Sequence, residues 1–130
     1  MVIDTSALVA ILLDEPDRAD LTRAIADHPV RAISAATVVE AGIVVEARLG
    51  EAGGRELDLL LHRAGVVVVD VDTGQADLAR AAWRRYGKGR HPAGLNIGDC
   101  FSYALAVARD EPLLYKGDDF AATDVRSALS

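Results

Sequence analysis

Short apolar runs alternate with longer amphipathic segments along this 130-residue chain, and no other feature restricts its fold as much. Four runs have the composition of strands, at residues 2–3, 30–34, 66–69 and 112–115. The third is β-branched throughout, which is typical of a strand buried on both sides. Strands separated by helices are joined by right-handed crossovers in a parallel sheet. The sequence therefore predicts an α/β fold with a central parallel β-sheet flanked by helices on both faces.

The segments between these strands have the periodicity of helices. Helices are predicted at residues 7–13, 17–28, 35–49, 54–63, 75–86 and 99–109, with a loop rich in Gly and Pro at 87–96. Gly50 and Gly65 stand where two of them should end. The chain contains neither a repeat nor a linker, and its length suits one domain with a single substantial core.

Composition restricts the compartment and the partners. The apolar runs are far shorter than the roughly 20 residues of a membrane span, so no membrane association is predicted. Cys100 is the only cysteine, which fits a reducing cytoplasm. The net charge of −6 argues against a protein that binds polyanions through its overall charge.

Carboxylates stand where such a fold collects functional groups, beyond the carboxyl ends of the strands. Asp4 follows the first strand, and Asp118 and Asp119 follow the last. Asp99 begins a helix whose dipole favours an anion. Glu40 differs, because it lies within a helix on a partly apolar face, where a carboxylate without a partner is costly.

Each carboxylate also has a purely structural explanation. Asp4, or one of the two hydroxyl residues after it, would cap the next helix. The Asp99 carboxylate would interact favourably with the dipole of its helix, and Asp118 with Asp119 would form a turn. If they converge on one crevice, however, they repel one another, and a divalent cation removes that conflict. Oxygen ligands favour Mg²⁺ or Mn²⁺ over zinc, and such a site suits phosphodiester hydrolysis by metal-activated water.

Basic residues cluster in the second half of the chain. Between Asp77 and Asp99 no acidic residue occurs, whereas five of the fourteen Lys and Arg fall there. The stretch would hold a phosphate backbone or simply form a solvated face. Trp83 and Tyr86 would stack on bases or pack in the core, and their helical spacing favours packing. The candidate nucleic-acid contacts are Arg84, Arg85, Lys88, Arg90 and, after the last strand, Lys116.

Four segments together resemble the PIN-domain family, and more closely the VapC toxins of bacterial toxin–antitoxin pairs. They are VIDTSAL, SAATVVEAG, LNIGDCFSYALA and LLYKGDDFAATDV, in an order that spans nearly the whole chain. The resemblance implies one PIN-like ribonuclease domain over residues 1–130. It also implies a Mg²⁺-dependent endoribonuclease, with Mn²⁺ as a substitute, which forms a homodimer and is blocked by a cognate VapB-type antitoxin.

The resemblance also assigns roles to particular residues. Asp4 and Asp99 match the direct metal ligands, and Glu40 matches the third catalytic acid. Ser6 matches the small hydroxyl residue beside the first aspartate. Many relatives have a fourth aspartate where this chain has Gly117, so the role falls to a neighbour. Of the two neighbouring aspartates, Asp118 is preferred over Asp119.

The main alternative is a phosphoacceptor receiver-like signalling domain, which has a similar size, fold and acidic pocket. Asp70 would then be phosphorylated, and Lys116 would be the lysine that follows the last strand. That class gives Glu40 and Asp99 no role, and it expects an acidic pair where this chain has only Asp4. A binding module without catalytic activity is the remaining interpretation.

Overall fold

The computed structural model describes residues 1–129, so the last residue of the predicted domain, Ser130, lies outside it. Within these residues the strands are β1 (Val2–Ile3), β2 (Ala32–Ser34), β3 (Val67–Val69) and β4 (Leu113–Leu114). The helices are α1 (Thr5–Leu12), α2 (Arg18–Asp27), α3 (Ala35–Arg63), α4 (Thr73–Tyr86) and α5 (Ile97–Arg109). A 3₁₀ turn, Phe120–Ala122, follows β4.

The described strands form one parallel sheet in the order β3-β2-β1-β4. Val2 of β1 pairs with Ala32 on one side and with Leu113 on the other. The chain builds from β1 outward to β3 and then returns to place β4 beside β1. A parallel sheet opens a crevice at such a reversal, beyond the carboxyl ends of the strands. Here the crevice lies where β1 and β4 end.

Helices cover both faces of this sheet, which confirms the predicted fold class. One core packs side chains of α1, α2 and α3 against Ile3, Ile33 and Leu114. The other packs α4 and α5 against Val2 and Leu113. Alternate residues of one strand therefore serve opposite cores, as the strand pleat requires. No helix within residues 1–129 is both long and apolar enough to cross a membrane.

The expectation that residues 66–69 form a strand buried on both sides is wrong. β3 is an edge strand, and Val67 is 60% exposed. An edge strand pairs with only one neighbouring strand, so helices packed on the sheet cover its side chains less completely. The uninterrupted valine run is therefore compatible with exposure.

Several helices begin earlier than predicted, because polar residues before them act as caps. Asp4, Asp72 and Asn96 accept hydrogen bonds from the first turns of α1, α4 and α5. Between residues 49 and 54, the predicted interruption of α3 shrinks to Gly50 alone, whose φ of 71° is left-handed. Helix follows directly after it, so residues 51–53 are helical rather than a loop.

Candidate active site

Asp4 lies at the carboxyl end of β1 with only 2% of its surface exposed. Its Oδ2 accepts hydrogen bonds from the N–H and the Oγ–H of Ser6, at 3.0 and 2.7 Å. Its Oδ1 accepts one from the Oγ of Ser102, at 2.5 Å. Ser6 Oγ in turn accepts the backbone N–H of Lys116, at 3.0 Å, which links β1 to the segment after β4. Asp4 therefore caps α1 and also presents a fixed carboxylate to the crevice.

Glu40 reaches the same crevice from α3. Its Oε1 accepts a hydrogen bond from Thr5 Oγ1 at 2.5 Å, so the carboxylate has the partner that its partly apolar helix face requires. The carboxylate also lies against the start of α5 at Gly98. A Cβ at Gly98 would stand 1.9 Å from Glu40 Oε2, which means that only glycine leaves this space free.

Asp99 lies in the first turn of α5 and forms a capping box with Asn96. Asp99 N donates to Asn96 Oδ1 at 2.9 Å, and Asn96 N donates to Asp99 Oδ2 at 3.1 Å. Burial raises the pKa of Asp99 from 3.8 to about 7, although the Asn96 N–H lowers it. The carboxylates of Asp4, Asp119 and Glu40 raise it further. The structure thus brings together the three acids from β1, α3 and α5 that the sequence nominated.

The segment after β4 carries the two candidates for the fourth acid. Gly117 lines the crevice and has a φ of 98°, a conformation that L side chains rarely adopt. Asp118 and Asp119 follow it and are exposed. Asp119 is the one whose charge raises the Asp99 pKa. The electrostatics therefore favour Asp119, and the preference for Asp118 stays a prediction.

The predicted nucleic-acid contacts have diverse surroundings. The Lys116 ammonium pairs with Glu15 and with Asp17, the latter at 3.3 Å. Arg85 pairs with Asp124 at 3.4 Å, and the Arg90 guanidinium stacks on Trp83 at 4.7 Å. Arg84 and Lys88 instead line a groove between α4 and α5.

Sequence reasoning missed two hydroxyl residues of this site, Ser102 and Thr37. Ser102 is fully buried and lies one helical turn after Asp99, and its Oγ contacts Thr37 Oγ1 at 3.2 Å behind Asp4. A polar residue one turn after a candidate ligand, within an apolar helix, was the available signal. Thr5, the partner of Glu40, directly follows Asp4 in the sequence.

The donor chemistry of the crevice fits a divalent cation. Among residues 1–129, no three His, Cys, Asp or Glu side chains are grouped closely enough to hold a metal between them. The crevice has a volume of about 420 Å³, and its lining includes the carboxylates of Asp4, Glu40 and Asp99 together with hydroxyl groups and the side chain of Lys116. Burial is the main reason that the Asp99 pKa is raised, and a cation would relieve the smaller contribution that comes from repulsion by neighbouring carboxylates. Asp4 and Asp99 are the residues that would hold such an ion.

Comparison with known proteins assigns a family to this fold and site. The family model described as PIN domain matches residues 1–126. The chain therefore belongs to the PIN-domain family and, since a relative described as a VapC ribonuclease is 66% identical over 96% of the chain, to the VapC ribonucleases within it, as its motifs indicated. PIN-domain nucleases generally depend on a divalent metal, and VapC toxins pair with antitoxins.

Individual relatives agree with this assignment. The "Ribonuclease VapC" of Mycolicibacterium smegmatis is 66% identical over 125 residues, which cover 96% of this chain and 97% of the relative. The crystal structure of Mycobacterium tuberculosis VapC20, a Sarcin-Ricin loop cleaving toxin, has a TM-score of 0.78 at 17% identity and 95% coverage of both chains. A toxin–antitoxin complex from Klebsiella pneumoniae has a TM-score of 0.70 at 19% identity, with coverage of 95% and 92%. None of these matches supports the receiver-like alternative.

Proposed function

We propose that this chain is a Mg²⁺-dependent endoribonuclease that hydrolyses RNA phosphodiester bonds as the toxin of a toxin–antitoxin pair. The convergence of Asp4, Glu40 and Asp99 at the carboxyl ends of β1 and β4 is the observation that carries this proposal. Burial is the main cause of the raised Asp99 pKa, and carboxylates from three different parts of the chain raise it further. Such crowding costs stability and is typical of a functional site.

Asp4 and Asp99 hold the metal in this proposal, Glu40 lies beside them, and Asp119 is favoured over Asp118 as the fourth acid. When bound, Mg²⁺, or Mn²⁺ in its place, supplies positive charge that stabilises the phosphate under attack and makes water a stronger nucleophile. Ser6 and Ser102 orient the Asp4 carboxylate through hydrogen bonds to its two oxygens.

The RNA backbone is held by the basic residues beside the crevice. Arg84 and Lys88 are the best placed, because they line a groove next to α5. Arg85 and Arg90 remain weaker candidates, since each already has a partner in the protein. Lys116 lines the crevice, but its ammonium must leave Glu15 and Asp17 before it contacts a phosphate.

We further propose a homodimer that forms through an apolar face of α3 and α5. Val39 and Ile43 of α3 are 61% and 65% exposed, and Ile97 of α5 is 78% exposed beside them. Clustered exposed apolar side chains are typical of protein interfaces. A cognate VapB-type antitoxin and a cytoplasmic location complete the proposal. Ile43→Asp should convert the dimer to a monomer in light scattering, whereas Val30→Asp, at an exposed residue outside this face, should not.

The test of the proposed function is cleavage of cellular RNA. Purified antitoxin-free protein is incubated with total RNA and Mg²⁺, and new 5′ ends are mapped. Discrete cleavage sites that vanish with EDTA and with Asp99→Ala are the expected result. If the folded protein cleaves no RNA, or if EDTA and Asp99→Ala have no effect, the proposal fails.

A further inference from the structure

The groove between α4 and α5, called the Trp83 groove below, has a volume of about 660 Å³. This is within the range of about 300–1,000 Å³ that is usual for small-ligand pockets. Its lining combines an indole and aliphatic surface with cationic side chains. The lining residues used here are Arg80, Trp83, Arg84, Lys88 and Phe101.

Trp83 is held in place and is still accessible. Its side chain is 46% exposed, in contrast to buried Tyr86, which follows the predicted packing. The Arg90 guanidinium stacks on the ring, 4.7 Å from its centroid. A Cβ at Gly87 would lie 2.5 Å from Trp83 Cδ1, so the indole rests directly on the backbone of the turn after α4. A fixed aromatic surface loses little entropy when a flat ligand stacks on it.

The charges of the groove are uncompensated. Within residues 1–129, Arg80, Arg84 and Lys88 form no salt bridge, whereas neighbouring Arg85 pairs with Asp124. These free cations stand on a protein whose net charge is −6. Aromatic surface bordered by unpaired cations is the arrangement that proteins use for single-stranded nucleic acid.

The Trp83 groove also adjoins the acidic crevice. Asn96 lines both, and Asp99 follows it within the same first turn of α5. An RNA strand whose phosphate lies in the crevice can therefore continue past Asn96 into the groove.

We propose that the Trp83 groove binds one unpaired nucleotide next to the cleaved phosphate, with its base stacked on Trp83 and its backbone phosphate on Arg84 and Lys88. The proposal rests on the ribonuclease function proposed above. Under this proposal the protein recognises an unstacked base beside the cleavage site. Proteins commonly bind RNA loops in this way, by stacking unpaired bases on aromatic side chains.

Trp83 is the only tryptophan in the chain, so its fluorescence reports on this groove alone. The probe is a short unstructured RNA, added to Asp99→Ala protein in Mg²⁺ so that no cleavage occurs. The matched ligand is the same RNA with abasic sites in place of its bases. We expect the intact RNA to quench Trp83 and the abasic RNA to bind more weakly without quenching.

Substitutions test the same contact without relying on fluorescence. Trp83→Ala should weaken binding of the intact RNA by about 5- to 150-fold, the range for loss of one base–aromatic stack. Trp83→Phe should retain most of the affinity, and Leu59→Ala, an exposed residue of α3 outside the groove, should retain all of it. Circular dichroism of each variant confirms that it is folded.

Other outcomes distinguish failure of the groove proposal from failure of the proposed ribonuclease function. If RNA binds the protein but leaves Trp83 fluorescence and the Trp83→Ala affinity unchanged, the groove is not a base site while the ribonuclease function stands. A change from dimer to monomer in Trp83→Ala would show that a second copy of the chain occupies the groove, which also overturns the proposal. If wild type neither binds nor cleaves RNA, the proposed function itself fails.

Discussion

Ser102 Oγ donates a 2.5 Å hydrogen bond to Asp4 Oδ1, although 98 residues separate the two in the sequence. The bond joins α5 to the end of β1 in the interior of the protein. With the two hydrogen bonds from Ser6, it leaves the Asp4 carboxylate little freedom to rotate. The ligand is therefore oriented before any metal or substrate arrives, which is how supporting residues improve metal sites.

Ser102→Ala should weaken Mn²⁺ binding by about 10- to 100-fold, the usual cost of losing a residue that orients a ligand. It should also lower the free energy of unfolding by about 1–3 kcal/mol, because a buried carboxylate loses a donor. Calorimetric titration with Mn²⁺ measures the first effect and urea unfolding the second. Thr37→Val is the matched control, since it removes the next hydroxyl but leaves the bond to Asp4. Equal Mn²⁺ affinity in wild type and Ser102→Ala would contradict the positioning role.

Gly98→Ala should reduce cleavage while leaving the fold nearly as stable as wild type. The new methyl group needs the space of Glu40 Oε2, and the end of that flexible side chain is what gives way. Alanine is itself a better helix former than glycine, so stability changes by about 1 kcal/mol or less. The rate of RNA cleavage tests the predicted loss of activity, and equilibrium unfolding in urea tests the predicted stability. Gly42→Ala, whose Cβ meets only an ordinary 4.0 Å contact, should have wild-type activity.

Asp99→Asn should change how the stability of the metal-free protein depends on pH. The pKa of Asp99 is about 7 in the folded protein, against 3.8 for a free side chain. Between these values the folded state binds the proton more tightly, so this group's contribution to stability falls as pH rises from about 4 to 7. Asparagine cannot ionise, so the variant should gain stability relative to wild type over that interval. Urea unfolding in EDTA at several pH values measures the free energy of unfolding of both proteins. If this free energy depends on pH in the same way in wild type and Asp99→Asn, the prediction is wrong.

Asp119→Asn should lower the pKa of Asp99 and slow cleavage more than Asp118→Asn does. Removal of the Asp119 charge relieves part of the repulsion on Asp99, since Asp119 is one of the carboxylates that raise this pKa after burial. The pH at which wild-type stability changes should therefore shift downward only in Asp119→Asn. If Asp118→Asn has the larger effect on cleavage, the fourth acid is Asp118, as the sequence favoured.

Arg84→Gln should weaken RNA binding and reduce the slope of affinity against salt by about 1, the expectation for one phosphate contact. Arg85→Gln, its neighbour, should change both less, because Arg85 already pairs with Asp124. Fluorescence anisotropy at several salt concentrations compares them. If the slope of RNA affinity against salt is the same for Arg84→Gln and wild type, Arg84 does not contact phosphate and this part of the basic stretch is only a solvated face.

The sequence predicted the fold class, and it nominated acids that lie together in one crevice, because both depend on short-range patterns. Hydrophobic periodicity located the strands and α-helices of residues 1–129, although it divided α3 into two and missed the 3₁₀ turn, and strand ends located Asp4. The helix starts were less accurate, because the caps Asp72 and Asn96 lie before the residues that the helical periodicity includes. The exposure of Val67 could not be predicted, since strand order depends on tertiary packing rather than on the valine run itself.

Contacts between segments that are distant in the sequence could not be predicted either. Nothing local shows that Ser102 faces Asp4, or that Glu40 needs the empty space at Gly98. The left-handed conformation of Gly117, which bears on where a fourth acid would lie, was not evident from the sequence either. Trp83 and Tyr86 have similar sequence surroundings, yet only Tyr86 packs in the core.

The pairing of β1 with both β2 and β4 has a consequence for synthesis on the ribosome. Asp4 is translated early, but one neighbour of its strand, β4, is translated more than a hundred residues later. Asp99 and Ser102 are also made late. We therefore expect a nascent chain to expose its first acid before the crevice is complete, because β4 and Ser102 must still fold against it.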